Sequence, residues 1–396
     1  MIEVRQPGEE HRDQVSEAIT ISLDLDRRHA DGRAERLLLH HFRCAFEGDR
    51  VLATAAAWPF RQWFGGRELR MTGIYAVTTL PEYRAAGLAS RTTEQLLHEG
   101  RERGVPLSAL YPATLRPYRR LGFELAGTFT EHTAPFDALP EASGPLAVEE
   151  YRPEDLEGVR ACYRRWAAGS NGPIDAEDEA WWPTRVLGSS DPSAIHRVAV
   201  VRDDSGTVRG YVTCRKEPET GDFRASFRLA CEHFVACDPE ALSSLLGYVR
   251  GFRGLGVSLT IVGAPADPLG LVLAERRLRP TRTMRWMLRL LDVPRALEQR
   301  GYPPVSGAAT IAVEDPTFAD NRGPWRIEAD AGSVTVTRTR SSDRRPLHIR
   351  TLSSLFSGYL SAHDAVHLGL LEADDPAVAL LATLFAGPAP FMLDFF

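Results

Sequence analysis

The stretch from Gly73 to Leu97, GIYAVTTLPEYRAAGLASRTTEQLL, most constrains how this 396-residue chain can fold. An apolar run that ends at Val77 leads through Pro81 into a segment rich in Leu, Ala, Thr and Ser, which predicts a strand, a turn and a helix. Small residues stand at the junction, which reads Arg84-Ala85-Ala86-Gly87-Leu88-Ala89. Such residues let a ligand approach the backbone, and a helix N-terminus adds unpaired N–H groups and a partial positive charge. The junction therefore predicts a site for an anionic diphosphate.

A second pattern follows the next strand-like run, Leu107 to Leu110, and reads Tyr118-Arg119-Arg120-Leu121-Gly122-Phe123. The first stretch resembles the pyrophosphate loop of the GCN5-related N-acetyltransferases (GNAT), R/Q-x-x-G-x-A/G after a strand. The second resembles the Y-x-x-x-G-F element of the same superfamily. Either match alone is common by chance, but two motifs in this order indicate a GNAT fold for the first third of the chain.

Length and composition exclude several classes of protein. A chain of 396 residues suggests two or three domains, and 43% hydrophobic with 25% charged residues is ordinary for a globular protein. No window approaches the roughly 18 apolar residues of a membrane helix, and the charged N-terminus lacks an apolar signal core, so we expect a cytoplasmic protein. The net charge of −6 disfavours nucleic acid as a partner and mildly favours a cationic one. Five scattered cysteines argue against both a disulfide framework and a zinc knuckle.

The middle third repeats the opening of the chain in outline. A segment rich in Pro, Ala and Gly, Thr133 to Pro145, predicts a linker, after which a strand, an Arg-Pro-Glu-Asp turn, a helix and a hairpin recur in the earlier order. Where this copy should carry its diphosphate loop it reads Cys237-Asp238-Pro239-Glu240-Ala241-Leu242. That loop has no Arg-x-x-Gly, and Asp238 and Glu240 would repel a diphosphate, so we expect the second copy to be non-catalytic.

The last third alternates strands and helices and ends on Pro390-Phe391-Met392-Leu393-Asp394-Phe395-Phe396. Chain ends are normally polar and frayed, so this apolar end is predicted to be buried or docked. Across its full length the chain resembles the Eis (enhanced intracellular survival) family of actinobacterial acetyltransferases. The resemblance implies an α/β (α+β) fold with a catalytic GNAT domain at 1–140, a degenerate GNAT-like domain at 141–296 and a sterol-carrier-protein-like α/β domain at 297–396.

The same resemblance implies an activity and a set of site residues. Family members transfer acetyl from acetyl-CoA to amines of aminoglycosides and other polyamines, and assemble as hexamers. By position, Tyr118 would be the general acid and the α-carboxylate of Phe396 the general base. An amine that is protonated at neutral pH needs such a base, and a departing thiolate needs a proton donor. The Val77 N–H would stabilise the oxyanion, as is usual in the superfamily. The residues implied to bind acetyl-CoA are Val77, Thr79, Arg84, Ala85, Ala86, Gly87, Leu88 and Ala89.

One departure from the family pattern bears on the acceptor pocket. The family places an acid next to last, whereas here Phe395 holds that position and Asp394 precedes it. Asp24 and Asp26 lie between the first two predicted helices, a segment that lines the acceptor pocket in GNAT enzymes. They are our candidates for attracting a cationic amine, with a solvated turn as the alternative. His363 and His367 stand one helical turn apart, but no third ligand is evident, so we expect no metal.

Three functions remain open from the sequence. The leading one is an acetyl-CoA-dependent N-acetyltransferase acting on small polycations by direct transfer in a ternary complex. The second keeps the fold but acts on a protein lysine or a peptide N-terminus. The third is a non-catalytic sensor that binds acyl-CoA or a lipid. A domain that no longer catalyses a reaction should lose its catalytic motifs. The intact Arg84-x-x-Gly87 loop and Tyr118 therefore argue against the sensor.

Overall fold

The structure, a computed structural model, describes all residues except 24–36, 142, 179–180, 188–195, 221–225, 274, 341–344 and 374. The first third contains the strands β1 Ile2–Arg5, β2 Phe42–Glu47, β3 Arg50–Phe64, β4 Arg67–Thr79, β5 Leu107–Leu110 and β6 Glu124–Pro135. Its helices are α1 Arg12–Leu23, α2 Leu88–Glu102 and α3 Arg116–Arg120. In α2 the buried residues recur every three or four positions, so one face packs on the sheet.

The middle third repeats this arrangement, as the sequence predicts. Its strands are β7 Val148–Glu150, β8 Ile174–Ala176, β9 His196–Arg202, β10 Val208–Pro218, β11 Phe227–Ala236, β12 Gly256–Gly263 and β13 Arg279–Leu290. Its helices are α4 Leu156–Ala167 and α5 Pro239–Arg250. The last third contains α6 Val293–Gln299, β14 Gly307–Glu314, β15 Gly323–Asp330, β16 Ser333–Arg338, β17 Leu347–His348, α7 Ile349–Ser357, α8 Ala362–His367 and α9 Ala377–Leu384.

The two GNAT-like units share one sheet, because each contributes a strand to the other. The strand order in the described residues is β1-β2-β3-β4-β5-β13-β6-β12-β11-β10-β9-β7, with β8 beside β3. Strand β13, from the middle third, lies antiparallel between β5 and β6 of the first third. Strand β6 in turn pairs with β12 of the middle third. The start of the predicted linker is therefore wrong, because residues 133–135 extend β6 along a partner more than a hundred residues away in sequence.

The last third packs against β6 and β13, the two strands that cross between the GNAT-like units. It forms a small sheet in the order β16-β15-β14-β17, and its helix α7 packs against β6 and β13. From α7, Arg350 donates two hydrogen bonds to Glu124, at 2.9 and 2.7 Å, and the Ser354 hydroxyl donates to the Leu125 carbonyl at 2.7 Å. No helix among the described residues has the length and apolar character needed to span a membrane.

A fully buried ion pair lies where the three parts of the chain meet. Arg289 of β13 donates to both carboxylate oxygens of Asp315, which follows β14, at 2.7 and 2.6 Å. The Asn321 amide donates to the same carboxylate at 2.8 Å. Burial acts to raise the pKa of Asp315, but Arg289 and Asn321 outweigh it and hold that pKa below its usual value.

The glycine of the Y-x-x-x-G-F motif packs directly against this ion pair. Gly122 has φ +86°, a conformation that L side chains rarely adopt, and a Cβ there would lie 2.7 Å from the Arg289 Nε. Two independent constraints therefore require glycine at this position. The motif that sequence analysis found in the first third thus depends on a side chain from the second and a carboxylate from the third.

We expect Asp315→Ala to lower the free energy of unfolding by about 3–5 kcal/mol, because it leaves Arg289 buried without its partner. Urea denaturation measures this loss. Since the folded pKa of Asp315 is depressed, its contribution is complete above about pH 4 and disappears as the pH falls through the folded pKa. Asp320→Ala is the matched control, because Asp320 pairs with Arg101 at the surface and is 86% exposed. Equal losses in the two variants would contradict the assigned role.

Candidate active site

The predicted diphosphate loop is exposed and leads into an uncapped helix N-terminus. After a 3-10 turn at Pro81–Tyr83 the chain is exposed from Arg84 to Gly87, and α2 begins at Leu88. Gly87 is the N-cap residue and no side chain caps the helix, so its first N–H groups are available to a ligand. Ala85 at φ +69° and Gly87 at φ +75° both have left-handed backbone. Nothing lies within 4 Å of a Cβ at Gly87, so it is the backbone conformation, and not crowding, that favours glycine there.

Beside this loop, β4 and β5 part and leave an open strand edge. They pair in parallel from Met71–Leu107 to Ile74–Leu110, where β5 ends. On the other side of β4 the register with β3 shifts, and Ala76 has φ +47° with its carbonyl accepting a hydrogen bond from Thr54 at 2.7 Å. The β4 edge from Val77 to Thr79 therefore has no strand partner on the β5 side among the described residues. A pantetheine arm can hydrogen-bond to such an edge.

Tyr118 lies at this opening with a protonated hydroxyl. It belongs to α3 and packs, together with Val77, against the cluster that contains Ile74, Leu110 and Phe123. Burial raises the pKa of Tyr118 to about 12, so the phenol keeps its proton throughout the neutral range. Within the described residues its hydroxyl has no hydrogen-bond partner. The structure thus brings two of the predicted site residues, Val77 and Tyr118, onto one hydrophobic cluster.

The prediction of a docked chain end is confirmed. Residues 391–394 are buried, and Phe391 forms a parallel β-bridge with Thr128 of β6. The Thr128 N–H donates to the Pro390 carbonyl at 3.1 Å, and the Met392 N–H donates to the Thr128 carbonyl at 2.9 Å. The Phe391 N–H donates to the Asn171 carbonyl at 2.9 Å. The tail of the last third is therefore held by backbone bonds to both of the other parts.

The last two rings of the chain lie against β3, β4 and the end of β5. Tyr111 directly follows β5, and its hydroxyl donates a hydrogen bond to the Asp394 carbonyl at 2.9 Å. The centre of its ring is 4.7 Å from that of Phe395 and 5.6 Å from that of Phe396. The Phe396 ring is 4.9 Å from that of Phe60 on β3. A Cβ at Gly73 would lie 2.9 Å from the Phe396 ring. The absence of a side chain at this position of β4 therefore leaves room for the ring.

Phe396 and Tyr118 approach β4 from opposite faces of the sheet. Successive residues of a strand point to opposite faces. Phe396 packs over Gly73, whereas Tyr118 packs in the cluster of the next residue, Ile74. The helix α2 and the loop before it also lie on the Ile74 face, through Leu88, Leu96 and Leu97 of the clusters there. A ligand between β4 and β5 would thus have the phenol on one side and the chain end on the other.

Two tail partners that sequence analysis missed are His233 and Tyr111. The His233 Nε2 is 3.1 Å from the Asp394 carboxylate, and its Nδ1 is 2.9 Å from the Tyr211 hydroxyl, all in buried surroundings. Nothing in the local sequence distinguishes His233 from any histidine in a buried strand. Tyr111 carries one signal, its place immediately after the apolar run Leu107–Leu110.

A cavity of about 330 Å³ borders the tail on the side of the middle third. Its charged lining comprises Glu131, Glu217, Glu232 and Asp394 together with Arg215, Arg228 and Arg282. Arg215 pairs with Glu217 and Glu232, Arg228 with Glu217, and Arg282 with Glu131. The cavity therefore carries four carboxylates and three guanidinium groups, a small excess of negative charge.

The remaining predicted residues fall into two groups. Asp24 and Asp26 lie outside the described residues, directly after α1, whose Ser22 hydroxyl donates to the Thr79 carbonyl at 3.3 Å. His363 and His367 lie on α8, and the described residues contain no group of three potential metal ligands.

The second copy differs from the first at its helix N-terminus. The Asp238 carboxylate caps α5 by accepting a hydrogen bond from the Ala241 N–H at 3.0 Å. That side chain occupies the position where a diphosphate would lie.

Comparison with known proteins agrees with this architecture. The acetyltransferase (GNAT) domain matches residues 3–126 and again residues 176–290, and the sterol carrier protein domain matches residues 293–393. The N-acetyltransferase Eis of Mycobacterium tuberculosis is 26% identical over 365 residues, which cover 88% of this chain and 86% of that protein. The chain belongs to the GNAT acetyltransferases and is similar to Eis over most of its length.

Two further proteins are similar to this acetyltransferase over most or all of its length. An uncharacterized N-acetyltransferase of Streptomyces griseus is 29% identical over 360 residues, covering 85% of this chain and 84% of the relative. The crystal structure of a GCN5-related N-acetyltransferase from Anabaena variabilis superimposes with a TM-score of 0.92 and 27% identity over 100% of both chains. The predicted fold class is confirmed. GNAT acetyltransferases use acetyl-CoA, and the uncapped α2 N-terminus and the open β4 edge of this chain fit that co-substrate.

We expect Tyr118→Phe to lower kcat by about 10²-fold or more, because the thiolate would leave without a proton donor. The dissociation constant for acetyl-CoA, measured by calorimetry, should change little, since the ring and its packing remain. Since the phenol of Tyr118 titrates only at about pH 12, kcat of the unmodified enzyme should show no loss from its ionisation up to about pH 10. Tyr359→Phe is the control, because Tyr359 lies two residues after the end of α7 and its side chain is exposed. Unchanged turnover in Tyr118→Phe would exclude the acid role.

Proposed function

We propose that this enzyme transfers acetyl directly from acetyl-CoA to an amine of a small polycation, such as a polyamine or an aminoglycoside, within a ternary complex. The observation that carries the proposal is the placement of Tyr118 and the chain end on opposite faces of β4 at the opening beside β5. Direct transfer needs a proton donor on the side of the thiol and a proton acceptor on the side of the amine. This arrangement supports one group on each side.

Each proposed residue has one task in the reaction. Arg84, Ala85, Ala86, Gly87, Leu88 and Ala89 hold the diphosphate, while backbone groups of Val77 and Thr79 bind the pantetheine arm. The carboxylate of Phe396 takes a proton from the ammonium group, so that nitrogen can form its bond to the acetyl carbon. The Val77 N–H stabilises the negative charge that develops on the carbonyl oxygen. As the carbon–sulfur bond breaks, the Tyr118 hydroxyl donates its proton to sulfur. The new amide nitrogen releases its second proton to solvent, and solvent returns one to the Tyr118 phenolate and takes one from the Phe396 carboxyl group.

Support for a small cationic acceptor comes from the cavity beside the tail. Its volume of about 330 Å³ lies at the lower end of the range for small-molecule sites. It carries one more carboxylate than guanidinium groups, and Asp394 belongs both to its lining and to the tail. We retain Asp24 and Asp26 as the proposed acceptor residues of the neighbouring segment.

The working form follows from the family by resemblance. We propose a cytoplasmic homo-hexamer that needs no nucleic acid, membrane or metal. The proposed domains, 1–140, 141–296 and 297–396, would act as one unit, because β6 and β13 cross between the first two and the tail of the third lies against both.

The first test is thiol release from acetyl-CoA by the protein with its native C-terminus, with polyamines, aminoglycosides and lysine peptides as acceptors. We expect release with the polycationic small amines and acetylated products by mass spectrometry. Release with lysine peptides alone would overturn the proposed acceptor class and favour a protein acetyltransferase. If no acceptor leads to thiol release and the protein also fails to bind acetyl-CoA, the result would favour the non-catalytic sensor.

The second test addresses the chain end. Two glycines added after Phe396 move the carboxylate away while leaving the aromatic ring, and we expect turnover to fall by about 10²-fold or more. The dissociation constant for acetyl-CoA should not change. Phe396→Leu is the matched variant, because it keeps a terminal carboxylate at the same position and should retain more activity than the extended protein. Normal turnover in the extended protein would transfer the base role to a side chain.

A further inference from the structure

Two cysteines of the middle third lie in contact outside the acetyl-transfer site. Cys162 is fully buried on α4, and Cys237 is partly exposed just after β11. Their sulfur atoms are 3.4 Å apart, which is within reach of a bond after a small movement of one side chain. The Cys237 Sγ also lies 3.3 Å from the carbonyl oxygen of Cys162. The pair therefore joins a helix to the end of a strand seventy-five residues later in the chain.

Only one member of the pair is open to a reagent. Cys237 lines a cavity of about 610 Å³, together with Arg165, Arg209 and Asp238, whereas Cys162 lies behind it. The cavity carries two guanidinium groups and one carboxylate, and Asp238 is already paired with Arg209 at 2.6 Å. A small peroxide can thus reach Cys237 before Cys162. The Cys162 thiol is then in contact with the oxidised sulfur of Cys237.

The pKa of Cys237 lies below that of a free cysteine. A hydrogen bond from the Cys162 thiol lowers the pKa of Cys237, and Arg165 lowers it further, against the opposing effects of burial and of Asp238. The thiolate is the nucleophilic form of cysteine, so this shift increases the reactive fraction at neutral pH.

The other three cysteines provide an internal contrast. Cys44, Cys214 and Cys231 are all buried. Burial raises the pKa of Cys44 and of Cys214 to about 12, and raises that of Cys231 as well. Buried protonated thiols are inert. Of the five cysteines, Cys237 alone combines access to a cavity with a lowered pKa.

We propose that Cys237 and Cys162 form a site of reversible oxidation by hydroperoxides. The Cys237 thiolate attacks the outer oxygen of the hydroperoxide, the oxygen–oxygen bond breaks, and the alkoxide or hydroxide that leaves takes up a proton. The product is a sulfenic acid at Cys237. The Cys162 sulfur then attacks the Cys237 sulfur, a disulfide forms and one water molecule leaves. The two electrons given up by the two sulfurs reduce the hydroperoxide, and an external dithiol restores both thiols.

The position of the site gives this reaction a structural consequence. Helix α4 also carries Trp166, whose ring is 5.9 Å from that of Phe391 in the tail. Strand β11 also carries His233, which contacts Asp394 of the tail at 3.1 Å. A disulfide would covalently connect the two elements of the middle third that hold the chain end.

The test treats the reduced full-length protein with hydrogen peroxide in small excess and measures intact mass, and free thiols are blocked only in the portion that is digested for peptide mapping. We expect loss of two hydrogen atoms, a linked peptide containing Cys162 and Cys237, and recovery of the original mass with dithiothreitol. Cys162→Ser should stop at the sulfenic acid, which dimedone traps at Cys237. Cys237→Ser should show neither product, and Cys214→Ser, the matched control, should behave as the unmodified protein.

A second measurement compares the reactivity of the individual thiols. In the reduced Cys162→Ala and unmodified proteins, the rate of alkylation at Cys237 is followed against pH. We expect the unmodified protein to show a midpoint below the roughly 8.5 of a free cysteine, and Cys162→Ala to show a higher one, because alanine has no hydrogen-bond donor to offer the Cys237 sulfur. A disulfide between other cysteines, no mass change with peroxide, or a Cys237 no more reactive than Cys214 would overturn the proposal.

Discussion

The buried ion pair between Arg289 and Asp315 is the constraint on which the arrangement of this enzyme depends. Arg289 belongs to β13, a strand of the second unit that lies inside the first, and Asp315 belongs to the third. An unpaired charge at this depth would be strongly destabilising, so the three parts must assemble together. Gly122 packs on the guanidinium, and Tyr118 stands one helical turn before it. The proposed acid is therefore positioned by a contact that spans the whole chain.

The chain end is likewise held by contacts with distant parts of the chain, on the other side of the candidate active site. A free C-terminus is ordinarily mobile, yet here backbone hydrogen bonds to Thr128 and Asn171 and the contact of Asp394 with His233 hold residues 390–394. Tyr111 and Gly73 then determine where the last rings lie. The third unit thus places its final residues against strands of the first unit, beside the opening where we propose that acetyl transfer takes place.

The two GNAT units show how one fold can keep or lose a ligand site through a single helix N-terminus. In the first, Gly87 leaves the N–H groups of α2 free, and in the second, Asp238 occupies those of α5 with its own carboxylate. The second unit still contributes β13, His233 and part of the cavity beside the tail. Its contribution is structural support together with the thiol pair at Cys162 and Cys237.

The sequence by itself determined the local features. Strand β5 and the strand, turn and helix of Gly73–Leu97 follow from period and turn residues, and the loop Arg84–Ala89 and the Tyr118 motif carry their own spacing. The internal repeat and the apolar chain end could also be recognised from the sequence. Only the tertiary structure decided the exchange of β6 and β13, the partners of the tail, and the opposite faces reached by Tyr118 and Phe396. These depend on contacts between residues more than a hundred positions apart, and neither period nor local propensity encodes which distant strand a given edge will meet. His233 could not be identified for that reason, because it is an ordinary residue of a buried strand until its contact with Asp394, 161 positions away, is known. Arg289 meets Asp315 only 26 positions later, but the local sequence does not show that both side chains are buried against each other.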